Sequence, residues 1–178
     1  GKTTVLVSRL GYMIYCLGIR PESILTVTYT VAATEDMRRR FAKIFGEEDA
    51  KRLEFRTING ISQKVLQSFA YRTQKTPFQV ADKEASTAVK QSFWEVTGKY
   101  ATENDIKETQ LEITYAKNMR LTPEEIRDMD TEVEKFPEIF RAYNAKLRQM
   151  QMIDYDDQMI YALRILEQYP EVLAYFRE

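Results

Sequence analysis

Over the first 80 positions the apolar residues switch between helical spacing and short β-branched runs, and from about Ala81 onward they keep helical spacing alone. This change of period constrains the fold more than any other feature. Helices alternating with strands require a parallel sheet covered by helices, and a long stretch without strands requires a helical subdomain beside it. Leu6, Leu10, Met13, Ile14 and Leu17 predict a helix opening at Gly1-Lys2-Thr3-Thr4 and stopped by Gly18 and Pro21. Ile24 to Tyr29 reads as a strand buried on both faces. A helix follows Thr30 with Ala33, Met37, Phe41, Ile44 and Phe45 inward, then a short strand over 53–58. Asn59 is expected to cap the next helix, whose inner face is Ile61, Val65, Leu66 and Phe69.

The later stretch places Val89, Phe93, Trp94 and Val96, then Ile106, Leu111, Ile113 and Met119, then Phe136, Ile139, Phe140, Tyr143 and Leu147 at helical spacings. No strand is predicted there. Thr122-Pro123-Glu124-Glu125 reads as an N-cap, a proline at the first helical position and acids in the first turn. Ile160, Leu163, Ile165 and Leu166 predict a last helix before Pro170. The fold class is therefore α/β, a parallel sheet with a helical subdomain.

Composition narrows the chemistry. The 178 residues are 44% apolar and 30% charged, as in a globular domain, and no apolar run approaches the roughly 18 residues of a membrane span. With no histidine and one cysteine, Cys/His zinc sites, histidine-based triads and an internal disulfide are all excluded. Catalysis would rest on Lys, Thr, Asp, Glu, Arg and aromatics. No secretory signal is visible, and a start at Gly1 without Met reads as a cut through something larger. Charge is uneven: residues 1–80 carry 13 Lys+Arg against 7 Asp+Glu, and 81–178 carry 13 against 20. A basic first half suits phosphate binding, although solvated helix faces give the same balance.

Gly1-Lys2-Thr3 running into a helix reads as the end of a phosphate-binding loop. Backbone N–H groups at the helix start would cradle phosphates, the Lys2 ammonium would reach the β/γ oxygens, and the Thr3 hydroxyl would hold magnesium. Tyr29-Thr30 and Thr57-Ile58-Asn59 each follow the carboxyl end of a predicted strand, on the rim where ligands of open parallel sheets bind. There a ring can stack on a base, and Thr or Asn can reach a phosphate. Spacing alone favours Tyr29 as core and Thr30 as a plain helix cap. Met150 to Ile153 followed by Asp154 could be mistaken for a strand bearing a magnesium carboxylate. Gln151 interrupts it, methionine is a poor strand former, and Asp154 is expected instead to cap a helix, with the magnesium carboxylates beyond Glu178. Arg38-Arg39-Arg40 reads as a solvated face, Cys16 as inert core, and Trp94, Tyr115 and Tyr143 as packing.

In order and spacing these motifs resemble the amino-terminal part of a UvrD/Rep-like superfamily 1 DNA helicase. Gly1-Lys2-Thr3-Thr4-Val5-Leu6 resembles the end of the Walker A motif, and Ile24 to Thr30 with Ala33, Glu35, Met37 and Arg38 resembles the family's Thr-Phe-Thr-Asn-Lys-Ala-Ala segment. Arg56-Thr57-Ile58-Asn59-Gly60 stands where the family has a Thr-Phe-His type motif, and Asp154-Tyr155-Asp156-Asp157 resembles the Asp-Phe-Asp-Asp segment ahead of the Walker B strand. The resemblance implies a partial P-loop NTPase (RecA-like) core over 1–80, a helical insertion over 81–151 and helices returning to the core over 152–178. It implies ATP bound by Gly1, Lys2, Thr3 and Thr4, Mg2+ held by Thr3, and single-stranded DNA tracked by Tyr29, Thr30, Thr57 and Asn59. It further implies an ATP-driven 3' to 5' motor acting at single/double-strand junctions in the bacterial cytoplasm, associated with the nucleoid and with repair or recombination proteins, and no membrane. The Walker B acids and the second motor domain are expected outside these residues, so that the isolated chain would be inactive. Val31-Ala32 in place of Asn-Lys, Ile58 in place of an aromatic and Asn59 in place of histidine leave fewer polar and stacking groups on the rim. Another P-loop enzyme, such as a small-molecule kinase with a helical lid, and a non-catalytic module in which Gly1-Lys2-Thr3-Thr4 is coincidental are the alternatives.

Overall fold

The structure, a computed structural model, describes residues 1–169; the predicted continuation over 170–178 lies outside the described residues. The chain divides into two compact units, Gly1–Arg72 joined by the chain from Ala162 onward, and Thr73–Tyr161.

In the first unit helix α1 (Lys2–Gly11) passes into a π-helical turn at Tyr12–Cys16 and a 3-10 turn at Pro21–Ser23. Strand β1 (Leu25–Thr28), helix α2 (Val31–Phe45), helix α3 (Glu47–Arg52), strand β2 (Glu54–Thr57) and helix α4 (Ile58–Thr73) follow. The predicted alternation is present, and β1 and β2 pair in parallel from Leu25↔Glu54 to Thr28↔Thr57. Their core joins Val7 and Leu10 of α1 to Ile24, Met37, Phe41, Leu53 and Phe55. Among the described residues helices cover one face of this sheet. Leu25 and Val27 therefore stay exposed while Thr26 and Thr28 are half-buried, and β1 is not the doubly buried strand that its composition predicts.

The π-turn accounts for a second difference. Its hydrogen bonds reach five and six residues back, from the Leu17 N–H to the Tyr12 carbonyl (3.1 Å) and from the Ile19 N–H to the Met13 carbonyl (3.0 Å). The wider turn rotates the apolar stripe, so Val7 and Leu10 are buried whereas Leu17 and Cys16 face solvent. Cys16 is thus exposed and not core. Gly11 is required by close approach, since a Cβ there would overlap the Phe45 ring. That ring is held by Phe41 (centroids 4.9 Å apart) and Tyr15 (5.3 Å).

The second unit contains strand β3 (Gln79–Val80), helices α5 (Lys83–Thr97), α6 (Glu103–Asn118), α7 (Pro123–Arg127) and α8 (Phe136–Gln149), and strand β4 (Met152–Ile153). Helix α9 (Tyr155–Gln168) leaves it. Its core is built from Ala88 and Val89, Ile113 and Ala116, Ile126, and Phe136, Tyr143 and Leu147. Thr122 caps α7 in a capping box with Glu125, as its sequence predicts, and Thr102 does the same for α6 with Asp105. Trp94, Leu111, Tyr115 and Met119 are exposed and contribute less to packing than their spacing suggests. The absence of strands is also corrected: Gln79↔Met152 and Val80↔Ile153 form a two-residue parallel ladder, continued by the Ala81 N–H donating to the Ile153 carbonyl at 2.8 Å. Gln151 turns into it at φ 57°. Backbone pairing here overrides the poor strand propensity of Met and Gln.

Back in the first unit, Ala162 and Ile165 of α9 pack with Val65 of α4, supported by Leu66, Phe69 and Leu166. No helix among the described residues is long and apolar enough to cross a membrane.

Candidate functional site

Helix α1 begins at Gly1 with no side-chain cap and no acid in its first turn. The first intrahelical bond recorded at this end is Val5 N–H to the Gly1 carbonyl at 3.3 Å, so the N–H groups ahead of Val5 have no helical acceptor. Open donors, the positive end of the helix dipole and the exposed Lys2 make this terminus suited to an anion. Thr3 is half-buried and Thr4 exposed. A phosphate chain fits these donors, and a hydroxyl one residue beyond the lysine fits a magnesium ligand set completed by phosphate oxygens.

The carboxyl ends of β1 and β2 are level, because Thr28 pairs with Thr57. Tyr29 leaves this rim 85% exposed, which removes the core-packing alternative for that ring. Thr30 is the helix cap that its position suggests: its Oγ1 accepts from the Ala33 N–H at 3.0 Å. The Thr28 hydroxyl in turn donates to the Thr30 carbonyl at 3.0 Å. On the neighbouring strand Thr57, not Asn59, caps α4, its Oγ1 accepting from the Gly60 N–H at 3.0 Å. Asn59 lies in the first turn, half-buried and without the capping duty expected of it. In each capping threonine a lone pair is engaged while the hydroxyl hydrogen stays available, so Thr30 and Thr57 can both donate to a phosphate oxygen. Arg38 stacks over the Phe55 ring at 5.3 Å and Arg40 pairs with Asp36 at 3.0 Å, in keeping with a largely solvated face.

In the second unit the Asp154-Tyr155-Asp156-Asp157 segment does more than cap α9. Asp154 Oδ1 accepts from the Asp157 N–H at 2.9 Å, the expected cap. Beyond that, the buried Lys117 of α6 bonds Asp154 Oδ2 at 2.7 Å and Asp157 Oδ2 at 3.0 Å, and the Tyr143 hydroxyl of α8 donates to Asp154 Oδ2 at 2.7 Å. Thr114 and Asn118 of α6 hold Asp156 at 2.8 and 3.2 Å. Burial pushes the Asp154 carboxyl up, but the Lys117 ammonium and the hydrogen bonds it receives outweigh this and leave it below the usual range. Asp157 is raised, by burial first and by Asp154 beside it, with Lys117 opposing. Burial, with Asp154 adding, raises the Tyr143 phenol and keeps it a donor. Sequence reading missed Lys117. Its signal is position: it falls four residues after the buried Ile113 and next to the buried Ala116, so a charge there requires a partner. Among the described residues no group of three or more His, Cys, Asp or Glu is arranged to hold a metal ion, so this cluster is an ion-paired clasp.

Comparison with known proteins gives a consistent result. The chain is 26% identical over 182 residues to the ATP-dependent DNA helicase PcrA of Leuconostoc citreum, covering 100% of this chain and 24% of the relative. It is 25% identical over 180 residues to the putative ATP-dependent DNA helicase YjcD of Bacillus subtilis (strain 168), covering 99% and 24%. Against the ATP-dependent DNA helicase UvrD1 of Mycobacterium leprae (strain TN) the figures are 23% over 184 residues, 99% and 24%. The chain thus spans about a quarter of the length of the curated relatives it matches. The family model described as UvrD/REP helicase N-terminal domain matches residues 1–178, and the chain belongs to that family.

Proposed function

We propose that these residues are the amino-terminal part of an ATP-dependent DNA helicase or translocase, with a partial RecA-like P-loop core and a helical insertion. The observation that carries this reading is the pairing, in one unit, of a helix opening at Gly1-Lys2-Thr3 with a level strand rim bearing the exposed Tyr29. ATP and Mg2+ would supply a cleavable phosphoanhydride and a charge that neutralises its oxygens. Gly1 and Thr4 would offer backbone N–H groups to the phosphates, Lys2 would neutralise the β/γ oxygens, and the Thr3 hydroxyl would ligate magnesium. Tyr29 would stack on a base of a single strand, while Thr30, Thr57 and Asn59 would donate to its backbone. Hydrolysis also needs a carboxylate to orient water and arginines at the transferred phosphate. We therefore expect the isolated chain to turn ATP over negligibly. Translocation from 3' to 5', action at single/double-strand junctions, repair or recombination partners and a location in the bacterial cytoplasm with the nucleoid belong to the same reading.

Removing one stacked base contact costs about 1–3 kcal/mol. Tyr29→Ala should therefore weaken single-stranded DNA binding by about tenfold in a fluorescence titration, with little change in the slope against salt. Unchanged affinity across the salt series would count against the rim as a DNA track. The reading as another P-loop enzyme with a helical lid predicts turnover that depends on a small acceptor and ignores DNA; the departures at Val31, Ala32 and Ile58 favour it only if that is observed.

A further inference from the structure

Strands β3 and β4 have only each other as sheet neighbours among the described residues, so each keeps an unpaired edge. In an extended strand the N–H and C=O of one residue point to one side and those of the next residue to the other. The Ala81 N–H donates to the Ile153 carbonyl, so Ala81 faces β4 and Val80 points its own N–H and C=O away from it. No backbone hydrogen bond beyond the ladder engages either Val80 group among the described residues. Residues 75–78, which lead into this edge, are exposed and lie outside any helix or strand. An exposed run feeding an unpaired edge is a template for an added strand. Phe78 and Gln79 also wall a recess of about 550 Å³ with Arg148, Met152 and Tyr161. The Phe78 and Tyr161 rings lie 6.4 Å apart and 26° from parallel, and Phe78 is 63% exposed. Arg148 is shared with a neighbouring recess lined by Arg141 and Arg127, and no carboxylate of the described residues lines either one. Arg127 is engaged by Glu124 at 3.5 Å, whereas Arg141 and Arg148 have no carboxylate partner among the described residues.

A free strand edge, a recess with open rings and arginines lacking carboxylates ask for three things of one occupant. It must offer alternating N–H and C=O groups, a large apolar side chain and a few negative charges. An extended acidic peptide offers all three. A nucleic acid has no alternating amides to pair with an edge. The unit Thr73–Tyr161 is also acidic as a whole, with 12 Lys+Arg against 17 Asp+Glu, and so repels a long polyanion while its arginines attract a short acidic segment locally. We infer that the β3 edge and its recess dock an extended acidic segment of a partner protein. The segment adds a strand along β3, seats one large apolar side chain against Phe78 and Tyr161, and sets its carboxylates at Arg148 and Arg141. This docking goes beyond the proposed function and needs neither ATP nor DNA.

The test is fluorescence anisotropy of a labelled peptide, alternating glutamate and valine around a central tryptophan, against the 178-residue chain. Melting curves check the folding of each variant; the substituted side chains are exposed, so folding should be retained. The native chain should bind the peptide. Methylating the peptide's backbone N–H groups removes its strand-pairing donors and should weaken binding about tenfold. The double variant Arg141→Ala with Arg148→Ala should cost about fivefold, and this loss should vanish when glutamine replaces every glutamate of the peptide. Phe78→Ala should cost about fivefold. Tyr29→Ala, in the other unit, should change nothing, so this inference and the proposed function fail separately. No binding by the native chain, or indifference to backbone methylation, overturns the inference. So does displacement of the peptide by oligothymidylate at equal charge concentration, which would make the surface one for nucleic acid. Binding by the 178-residue chain but not by the full-length protein overturns it as well, because other parts of the same protein would then occupy the edge.

Discussion

Lys117 concentrates the cost of the second unit's polar interior. It faces the buried Asp154 and the half-buried Asp157 carboxylates, with its own side chain 8% exposed, and one positive charge cannot neutralise both. Lys117→Met would leave Asp154 and Asp157 unbalanced, and breaking a buried pair in this way costs about 3–5 kcal/mol. Both carboxyls would then bind protons more tightly in the folded state than in the unfolded chain. The variant's stability should therefore fall as pH rises from about 5 to 8, because the native state binds more protons. In the native protein Asp154 is held low, so its contribution is lost only as pH falls below the ordinary carboxylate range, and Asp157 alone is raised, so the fall of stability with rising pH should be shallower than in the variant. Urea titrations at both pH values check this; a variant as stable as the parent at pH 8 would refute the clasp. Gly11 is the second costly position. Overpacking typically costs about 1–3 kcal/mol, and Gly11→Ala should fall in that range, read from the same titrations, because the ring it meets is packed against Phe41 and Tyr15.

At the scale of elements, the sequence made the helix, strand, helix, strand, helix order legible because β-branched runs and helical stripes differ sharply in period. It misplaced the cap of α4: Thr57 ends β2 and serves the helix as well, so one residue closes both elements. Thr57→Ala should cost about 0.5–2 kcal/mol of stability and Asn59→Ala much less, by thermal melts of the two variants. If Asn59 contacts DNA, its variant should instead lose affinity with stability unchanged. The strands β3 and β4 were not legible, since two-residue ladders carry no periodic signal and their pairing joins residues far apart in sequence. The outward turn of Cys16 and Leu17 was equally hidden, because a π-turn changes phase without a residue that announces it.

At the scale of the whole chain, the division into Gly1–Arg72 with the chain from Ala162, and Thr73–Tyr161, assigns the anion-suited helix start and the strand rim to one unit and the clasp to the other. The candidate site of the first unit is proposed from the sequence because Gly1-Lys2-Thr3, Tyr29-Thr30 and Thr57 carry their chemistry in adjacent residues. The clasp is not, since it joins helices through residues tens of positions apart, as Lys117 and Asp154 do. The most direct test of the account is the ATPase rate of the full-length protein carrying these residues, with and without single-stranded DNA, beside Lys2→Ala. Strong stimulation by DNA that falls to background in Lys2→Ala is the expected result. Turnover that ignores DNA, or survives loss of the Lys2 ammonium, would contradict a DNA motor built on this helix start.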